Sequence, residues 1–384
     1  MIGGDVLFLL DLGSRLREDV NVRIVNRGDS MRRIVKRIVL ATPRLAALFL
    51  VAAVLAVFAP GCGGDDEYTA DGQKIVKLKL GHIVKPGSPI FDAAEKLAAD
   101  VKARTGGAVV ITIYGSSQLG NQADLIEGLQ IGAVDMTISS PAVMSALTPE
   151  IAVLDLPYIF PNAKQAYAVL DGDIGQELYA SSRRDHGYTV LSVWENGFRH
   201  TTNSKREITS PEDMAGLKIR VPESQIYLEM MKALGANPTP MEFGELFTAL
   251  QTGAVDGQEN PISQTYSSRF YEIQSYMTLD GHIYATQPVL IRNASLEKLS
   301  PEQREILFAA CNEARDWERG MVAQREKGMM EEMEKAGMRI TPLTVDQIAK
   351  FQAAVAPVWA IFEKAIGKEM LDKVANYRLH EETE

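Results

Sequence analysis

Strands and helices alternate in the pattern of apolar and polar positions downstream of residue 75. The segment KIVKLKLGHI alternates apolar and polar residues as a strand does, and the next segment, up to Gly106-Gly107, has helical spacing. Two more strand-like runs, VVITIYG and VDMTISS, flank a short helical segment, QADLIEGLQIGA. This order predicts a mainly parallel sheet with helices on both faces.

The alternation begins again near Tyr188, which predicts a second lobe. The segment TVLSVWENG has strand character, and Ser210-Pro211 combines a serine N-cap with proline at the first helical position. LKIRVP and QIYLEMMKALGA follow as strand and helix. The last third has helical periodicity almost throughout, so the sequence predicts an α/β fold of two lobes with long C-terminal helices.

A different pattern precedes residue 62. A basic segment, MRRIVKRIVLATPR, leads into an apolar run from Leu45 to Phe58 and then into APGC. The run is short for a membrane span, which needs about 20 apolar residues. Residues 31–61 therefore resemble a bacterial lipoprotein signal peptide, although Ala59 and Pro60 stand where leucine and a small residue are more usual. A buried core helix or a retained anchor is the alternative.

Cleavage of this signal would make Cys62 the lipidated first residue of the mature chain. Residues 62–74, which begin with a glycine- and aspartate-rich stretch, would then form a flexible tether. Residues 1–30 lie ahead of a complete signal, so we expect them to be an upstream extension. The protein is accordingly expected to be periplasmic and anchored to the membrane by a lipid.

Composition and charge narrow the possible functions. The chain has 384 residues, of which 46% are hydrophobic, enough to form the cores of two lobes. Its formal net charge of −10 argues against nucleic-acid binding, which needs clustered lysine and arginine. The only two cysteines, Cys62 and Cys311, lie in unlike contexts and do not suggest a disulfide framework. We expect Cys311 to be a small buried residue on a helix.

Motifs of catalysis and metal binding are missing from the sequence. It contains none of the H-E-x-x-H, G-x-S-x-G, C-x-x-C or phosphate-loop patterns. The histidines are scattered and lack metal-ligand spacing: His82, His186, His200, His282 and His380. The sequence therefore nominates no enzyme, metal or cofactor.

Arg220 is the residue with the clearest possible binding chemistry. It follows apolar strand residues and precedes Val221-Pro222. A guanidinium at the end of a strand beside a cleft between lobes can hold a carboxylate through two parallel hydrogen bonds. From spacing alone, an ordinary surface arginine at a strand edge is the favoured interpretation.

Residues 217–261, LKIRVPESQIYLEMMKALGANPTPMEFGELFTALQTGAVDGQENP, change that interpretation. Together with YGSSQLGNQADLIEGLQIGAVDM, LPYIF and WENGFRHTTN, this segment resembles the solute receptors of tripartite ATP-independent periplasmic (TRAP) transporters, of the dicarboxylate-receptor (DctP) type. The similarity extends over nearly all of residues 75–365. It implies a periplasmic-binding-protein-like fold with a ligand cleft between two lobes.

The resemblance also implies a division of the chain between the lobes. Residues 75–196 together with about 286–325 would form lobe I. Residues 197–285 together with about 326–384 would form lobe II.

By the same resemblance, Arg220 is the principal carboxylate clamp and Arg199 supplies a second positive group. Asn260 would hydrogen-bond the same end of the ligand, and Phe243 would pack on the ligand's apolar face. Each has a structural alternative, since Asn260 precedes a proline and could shape a turn, and Phe243 could belong to the core.

Four further positions are expected to contact the solute. Glu223 and Gln287 match positions that line the cleft in the family, whereas His82 and Gln122 lie in loops of the first lobe and would face the other end of the ligand. Glu223 could instead cap a helix. Sialic-acid receptors carry acidic residues where this chain has Gln122 and Ser140, which argues against sialic acid.

The implied function is capture of a small organic acid, either a C4-dicarboxylate or a sugar acid such as a hexuronate, and delivery to a membrane permease. Lobe closure would strengthen the arginine–carboxylate pair by excluding water. Two alternatives remain: a receptor that serves a sensory partner, and an enzyme on a binding-protein fold.

Overall fold

The computed structural model describes residues 67–378, which form a mixed α/β fold. Nine strands are present in this part of the chain: β1 (Val76–Gly81), β2 (Val109–Tyr114), β3 (Met136–Ile138), β4 (Tyr188–Asn203), β5 (Lys218–Val221), β6 (Asn237–Pro240), β7 (Gly257–Pro261), β8 (Tyr276–Arg292) and β9 (Arg339–Pro342).

The helices alternate with the strands until β8 and then dominate. They are α1 (Pro89–Arg104), α2 (Gln122–Ile131), α3 (Pro141–Met144), α4 (Ala163–Asp171), α5 (Asp173–Asp185), α6 (Gln225–Ala233), α7 (Phe243–Thr252), α8 (Ile262–Ser267), α9 (Asn293–Leu296), α10 (Pro301–Lys335), α11 (Val345–Val355), α12 (Pro357–Ile366) and α13 (Lys368–Ala375). Three short 3₁₀ segments complete the list: Pro149–Asp155, Pro211–Met214 and Phe270–Glu272.

The strands form one continuous sheet in the order β2-β1-β3-β8-β4-β7-β5-β6, with β9 paired to β8. Strand β1 is parallel to β2 and β3, and β5 is parallel to β6 and β7, as the alternation of strands and helices predicts. The centre differs from a mainly parallel sheet, because β8 is antiparallel to both β3 and β4, and β4 is antiparallel to β7. The sheet is therefore mixed.

The two longest strands connect the lobes. Strands β4 and β8 have 16 and 17 residues and pair along nearly their whole length, from Tyr188↔Arg292 to Asn203↔Tyr276. Their register shifts three times, including once between Glu195 and Gly197. Gly197 has a φ of 103°, which favours glycine. Such bulges bend a strand pair locally, so this ribbon forms the junction at which the lobes meet.

Helix α10 also belongs to both lobes. It begins at a capping box in which Ser300 and Gln303 exchange hydrogen bonds, and it continues for 35 residues, about 50 Å. Its first half packs Leu307 and Cys311 into the core of the first lobe, whereas Met333 near its end packs beside β8 and β9 in the second. Cys311 is fully buried, as expected.

The C-terminal segment divides between the two cores. Pro357 separates α11 from α12, and Phe351 and Val355 of α11 pack with the apolar side chains of β5 and α6. Leu371 and Val374 of α13 instead pack with Leu129 and Tyr179 of the first lobe. The last helices therefore bridge both lobes.

The predicted upstream extension, signal peptide and lipidated Cys62, together with the first part of the tether, lie outside the described residues. Within residues 67–378, no helix combines the length and apolar character needed to cross a bilayer.

Strands β4 and β7 approach each other closely at Gly257, and a substitution there tests this packing. A Cβ at this position would lie 2.1 Å from the backbone carbonyl oxygen of Thr202, whereas a Cβ at Gly328 of α10 meets nothing within 4 Å. We expect Gly257→Ala to lower the free energy of unfolding by roughly 1–3 kcal/mol. Gly328→Ala is the control and should raise it by about 0.5–1 kcal/mol. Chemical denaturation measures both values, and similar shifts for the two variants would contradict the proposed packing.

Candidate functional site

A cleft opens between the lobes, beside the β4–β8 ribbon. The first lobe contributes the start of α2 and the loop after β3, and the second contributes the ends of β5 and β7 and the start of α7. Seven of the eight residues predicted to bind ligand line this cleft: Arg220, Arg199, Asn260, Phe243, Gln287, Glu223 and Gln122.

Arg220 lies near the end of β5, which stops at Val221, immediately before Pro222. It is only 3% exposed, and its Nε and one terminal nitrogen donate to the carbonyl oxygen of Met241 at 2.9 and 2.6 Å. Its guanidinium lies over the ring of Phe243, 5.8 Å from the ring centre. No carboxylate forms an ion pair with it anywhere in residues 67–378. Burial lowers the pKa of Arg220 to about 10, so it remains a cation at neutral pH.

Arg199 differs from Arg220 because its charge is already compensated. It lies in β4, next to β7, and its Nε donates to Glu259 Oε2 at 2.5 Å. A terminal nitrogen donates to Glu259 Oε1 at 2.8 Å and to Asn260 Oδ1 at 3.1 Å. Burial opposes the charge of Arg199, but Glu259 outweighs burial and raises the pKa of Arg199. Arg199 lines the cleft as a member of an ion pair and not as an uncompensated positive group.

This ion pair continues into a buried chain of charges below the cleft. His282 Nε2 lies 3.1 Å from Glu259 Oε2, and His282 Nδ1 lies 3.0 Å from Asp280 Oδ2. Asp280 also accepts hydrogen bonds from the backbone N–H and the hydroxyl of Thr201. Burial opposes the charge of His282, but Asp280 and Glu259 raise the pKa of His282 to about 9. This buried chain of charges joins β4, β7 and β8. Its two cations, Arg199 and His282, balance its two carboxylates, Glu259 and Asp280.

Neutral amides form much of the remaining polar surface. Asn260 donates to Gln258 Oε1 at 2.5 Å while it accepts from Arg199. Gln122 Oε1 accepts from the hydroxyl of Ser140 at 2.7 Å, which leaves the Gln122 amide nitrogen without a hydrogen bond among the described residues. Gln287, on β8, is 6% exposed and makes no side-chain hydrogen bond within residues 67–378.

His82 is the predicted site residue that does not line the cleft; its neighbour Ile83 does. His82 is buried, with its ring edge-on to Phe91 at a centroid distance of 5.4 Å. Burial lowers the pKa of His82 to about 4, so the ring is neutral at physiological pH.

Four polar residues of the cleft were not predicted as ligand contacts: Asn196, Ser140, Glu242 and Gln264. Each lies beside a position that the sequence did mark. Asn196 belongs to WENG, Ser140 is the last residue of VDMTISS, Glu242 precedes Phe243, and Gln264 follows the GQENP segment. They are revealed by the cleft, since their own sequence context does not show which way they point.

Glu242 and Glu223 form a pair of carboxyl groups at the cleft. Burial, the hydrogen bond between the two side chains and the charge of Glu223 raise the pKa of Glu242 to about 7, against the opposing charge of Arg220. The second lobe thus presents one uncompensated cation and two neighbouring acids to the cleft.

Residues 80–365 match the family described as bacterial extracellular solute-binding protein, family 7, the DctP family. The chain belongs to this family. Membership confirms the resemblance drawn from the sequence, and it confirms that the chain is a transport receptor and not an enzyme.

Individual relatives show the extent of the similarity. A solute-binding protein of Verminephrobacter eiseniae is 38% identical over 285 residues, which cover 73% of this chain and 83% of the relative. The fold matches a TRAP periplasmic solute-binding protein of Sulfurospirillum deleyianum with bound succinate, with a TM-score of 0.75, 32% identity, and coverage of 79% of this chain and 99% of that one. It also matches a TRAP protein of Polaromonas bound to D-erythronate, with a TM-score of 0.76, 34% identity, and coverage of 79% and 100%. These matches confirm the two-lobed fold.

The buried histidine predicts a pH dependence of stability. The pKa of His282 is raised to about 9 in the folded protein, above the value of about 6.5 for an unfolded chain. The charged ring therefore stabilises the fold fully below about pH 6.5, and this stabilisation is lost as pH rises through about 9. We expect it to contribute a fall on the order of 1 kcal/mol per pH unit between pH 7 and 9.

Urea denaturation across this pH range should show that His282→Gln removes that part of the slope. His186→Gln is the matched control, because His186 stacks on Tyr188 away from the charged chain. Equal slopes for the wild-type protein and His282→Gln would contradict the assignment of charge to His282.

Proposed function

We propose that this family 7 receptor captures a small organic acid in the cleft and delivers it to the membrane subunits of a TRAP transporter. The ligand's carboxylate binds Arg220. Asn260 and the Arg199–Glu259 pair lie beside that position, and Phe243 packs against the ligand.

The observation that carries this proposal is the unpaired guanidinium. A buried cation is costly unless an anion or hydrogen-bond acceptors compensate it. Arg220 has one backbone acceptor, Met241, and within the described part of the chain no carboxylate lies at ion-pair distance from it. A ligand carboxylate supplies the missing anion and matches the planar donor geometry of the guanidinium.

The solved relatives support the same chemistry. Succinate and D-erythronate, which are bound in two of them, share a carboxylate on a short carbon chain. A C4-dicarboxylate and a sugar acid therefore both remain consistent with a clamp at Arg220.

Lobe closure completes the proposed cycle. The cleft lies beside the β4–β8 ribbon, whose bulges allow bending, and both lobes contribute lining residues. Closure removes water from the Arg220–carboxylate pair and strengthens it, and the closed form is the one that docks on the permease.

Periplasmic location and lipid anchoring extend the proposal beyond the described residues. The basic, apolar and small-residue order before Cys62 supports export and acylation of that cysteine.

Replacement of Arg220 tests the clamp. Truncating one member of a buried charge pair costs about 3–5 kcal/mol, or roughly two to four decades in affinity. We expect Arg220→Ala to lose that much affinity for the tightest acid found in a thermal-shift panel, as measured by calorimetry. Arg220→Lys should recover only part of it, because an ammonium group lacks the two-pronged geometry.

Arg184→Ala serves as the control, because Arg184 is exposed on the last turn of α5. It should bind as the wild-type protein does. An affinity of folded Arg220→Ala within about threefold of wild type, under 1 kcal/mol, would mean that the carboxylate binds elsewhere.

The anchor has a test of its own in cells. With Cys62 intact, the protein should partition into the detergent phase, and Cys62→Ala should leave it either water-soluble or uncleaved. Mass spectrometry of the purified N-terminus identifies the acyl group. Recovery of an intact chain beginning at Met1 from wild-type cells would refute both cleavage and lipidation.

A further inference from the structure

The two arginines that line the cleft differ in whether a carboxylate neutralises them, and this difference affects which ligands can bind. Two arginines line it, but Glu259 compensates Arg199, so Arg220 is the single uncompensated cation among the described lining residues. The cleft is also lined by the acids Glu223 and Glu242. A ligand with one carboxylate therefore finds a counter-ion, whereas a second carboxylate finds none.

The other polar groups of the cleft suit hydroxyl groups. Among the residues that the structure describes, the side chains of Gln264 and Gln287 make no hydrogen bonds, and Asn196 Oδ1 is buried without a partner. Amides offer both donors and acceptors, and carboxylates offer acceptors. A hydroxyl group can donate and accept, and so can satisfy both kinds of group, whereas a carboxylate only accepts.

We propose that the cleft selects an acid with a single carboxylate and several hydroxyl groups, and that Glu242 and Glu223 are the specificity-determining residues that exclude a second carboxylate. This inference rests on the proposed function, because it takes the first carboxylate to be held by Arg220. It distinguishes between the two ligand classes that Arg220 alone leaves open.

Glu242 is the centre of this discrimination. It precedes the first residue of α7 and faces Glu223 and Arg220 of its own lobe and Asp124 of the first lobe. Three of these four groups are acids, so negative potential surrounds the part of the cleft next to Glu242. A hydroxyl donor is attracted there, and a second carboxylate is repelled.

The discrimination should also depend on pH. The pKa of Glu242 is raised to about 7, so the group gains its charge as pH rises through neutrality. Exclusion of a second carboxylate is accordingly weaker at pH 6 and stronger at pH 8.5, provided that both ligands are fully ionised at both values.

Ligand pairs that differ in one group provide the test. D-erythronate and meso-tartrate have four carbons each, and galactonate and galactarate have six; in each pair a terminal hydroxymethyl group is replaced by a carboxylate. Calorimetry on the purified chain should give at least tenfold tighter binding of the monocarboxylate in the pair whose length fits. Succinate should bind more weakly still, because it lacks hydroxyl groups.

Variants then assign the effect to the two acids. Glu242→Gln, and the double variant Glu242→Gln with Glu223→Gln, should reduce the preference about tenfold, chiefly through tighter binding of the dicarboxylate. The pH dependence of the preference should disappear with Glu242→Gln. Glu245→Gln is the control, because Glu245 is exposed in the first turn of α7 and does not line the cleft.

Three results would overturn the inference. The first is a dicarboxylate that binds as tightly as its matched monocarboxylate, the second is a preference unchanged by the double variant, and the third is tighter binding of an amino acid whose ammonium group depends on Glu242. In each case, if Arg220→Ala still weakened ligand binding, the proposed function as an organic-acid receptor would stand. Insensitivity of every ligand to Arg220→Ala would instead refute the proposed function itself.

Discussion

The buried ion pair between Arg199 and Glu259 is the interaction on which the binding cleft depends. It ties β4 to β7, and His282 extends it to β8, so three neighbouring strands of the second lobe are held in one register below the cleft. Because the pair is internally neutral, it can be buried without an external counter-ion. Arg220, on the adjacent strand β5, is then left as the cation available to a ligand.

The same strands form both part of the cleft and the junction between the lobes. Strands β4 and β8 carry cleft residues, Arg199 and Gln287, and also form the bulged ribbon between the lobes. Helix α10 and the C-terminal helices cross the junction as well, with side chains in the cores of both lobes. A ligand that contacts both lobes therefore acts directly on the elements that set their separation.

The proposed restriction on the ligand comes from the side chains that line the cleft, and membership of the family does not by itself imply it. One free guanidinium, two acids and several neutral amides form a surface with little positive charge. If Arg220 binds the ligand as proposed, affinity comes from one charge-assisted contact and selectivity comes from the groups around it, because a second carboxylate meets Glu223 and Glu242 in a cleft that partly excludes water. Glu242 is important in this respect although it makes no ion pair with Arg220.

The sequence by itself determined the local elements and the family. The strand at β1, the helix starts at Ser210 and Ser300, and the family motif around Arg220 were all visible, since apolar periodicity, capping residues and motif spacing are local properties. Seven of the eight residues that the sequence predicted to bind ligand line the cleft, and His82 is the exception.

Only the tertiary structure decided how these residues are paired. Arg199 and Arg220 look alike as strand arginines, yet the antiparallel neighbour β7 brings Glu259 into an ion pair with Arg199 and gives Arg220 no ion-pair partner. His82 and Glu242 were likewise indistinguishable by their sequence context, and packing buries the first beside Phe91 while it brings the second to the cleft. The physical reason is that compensation of a charge depends on strand register and on contacts distant in sequence, which periodicity and composition do not encode.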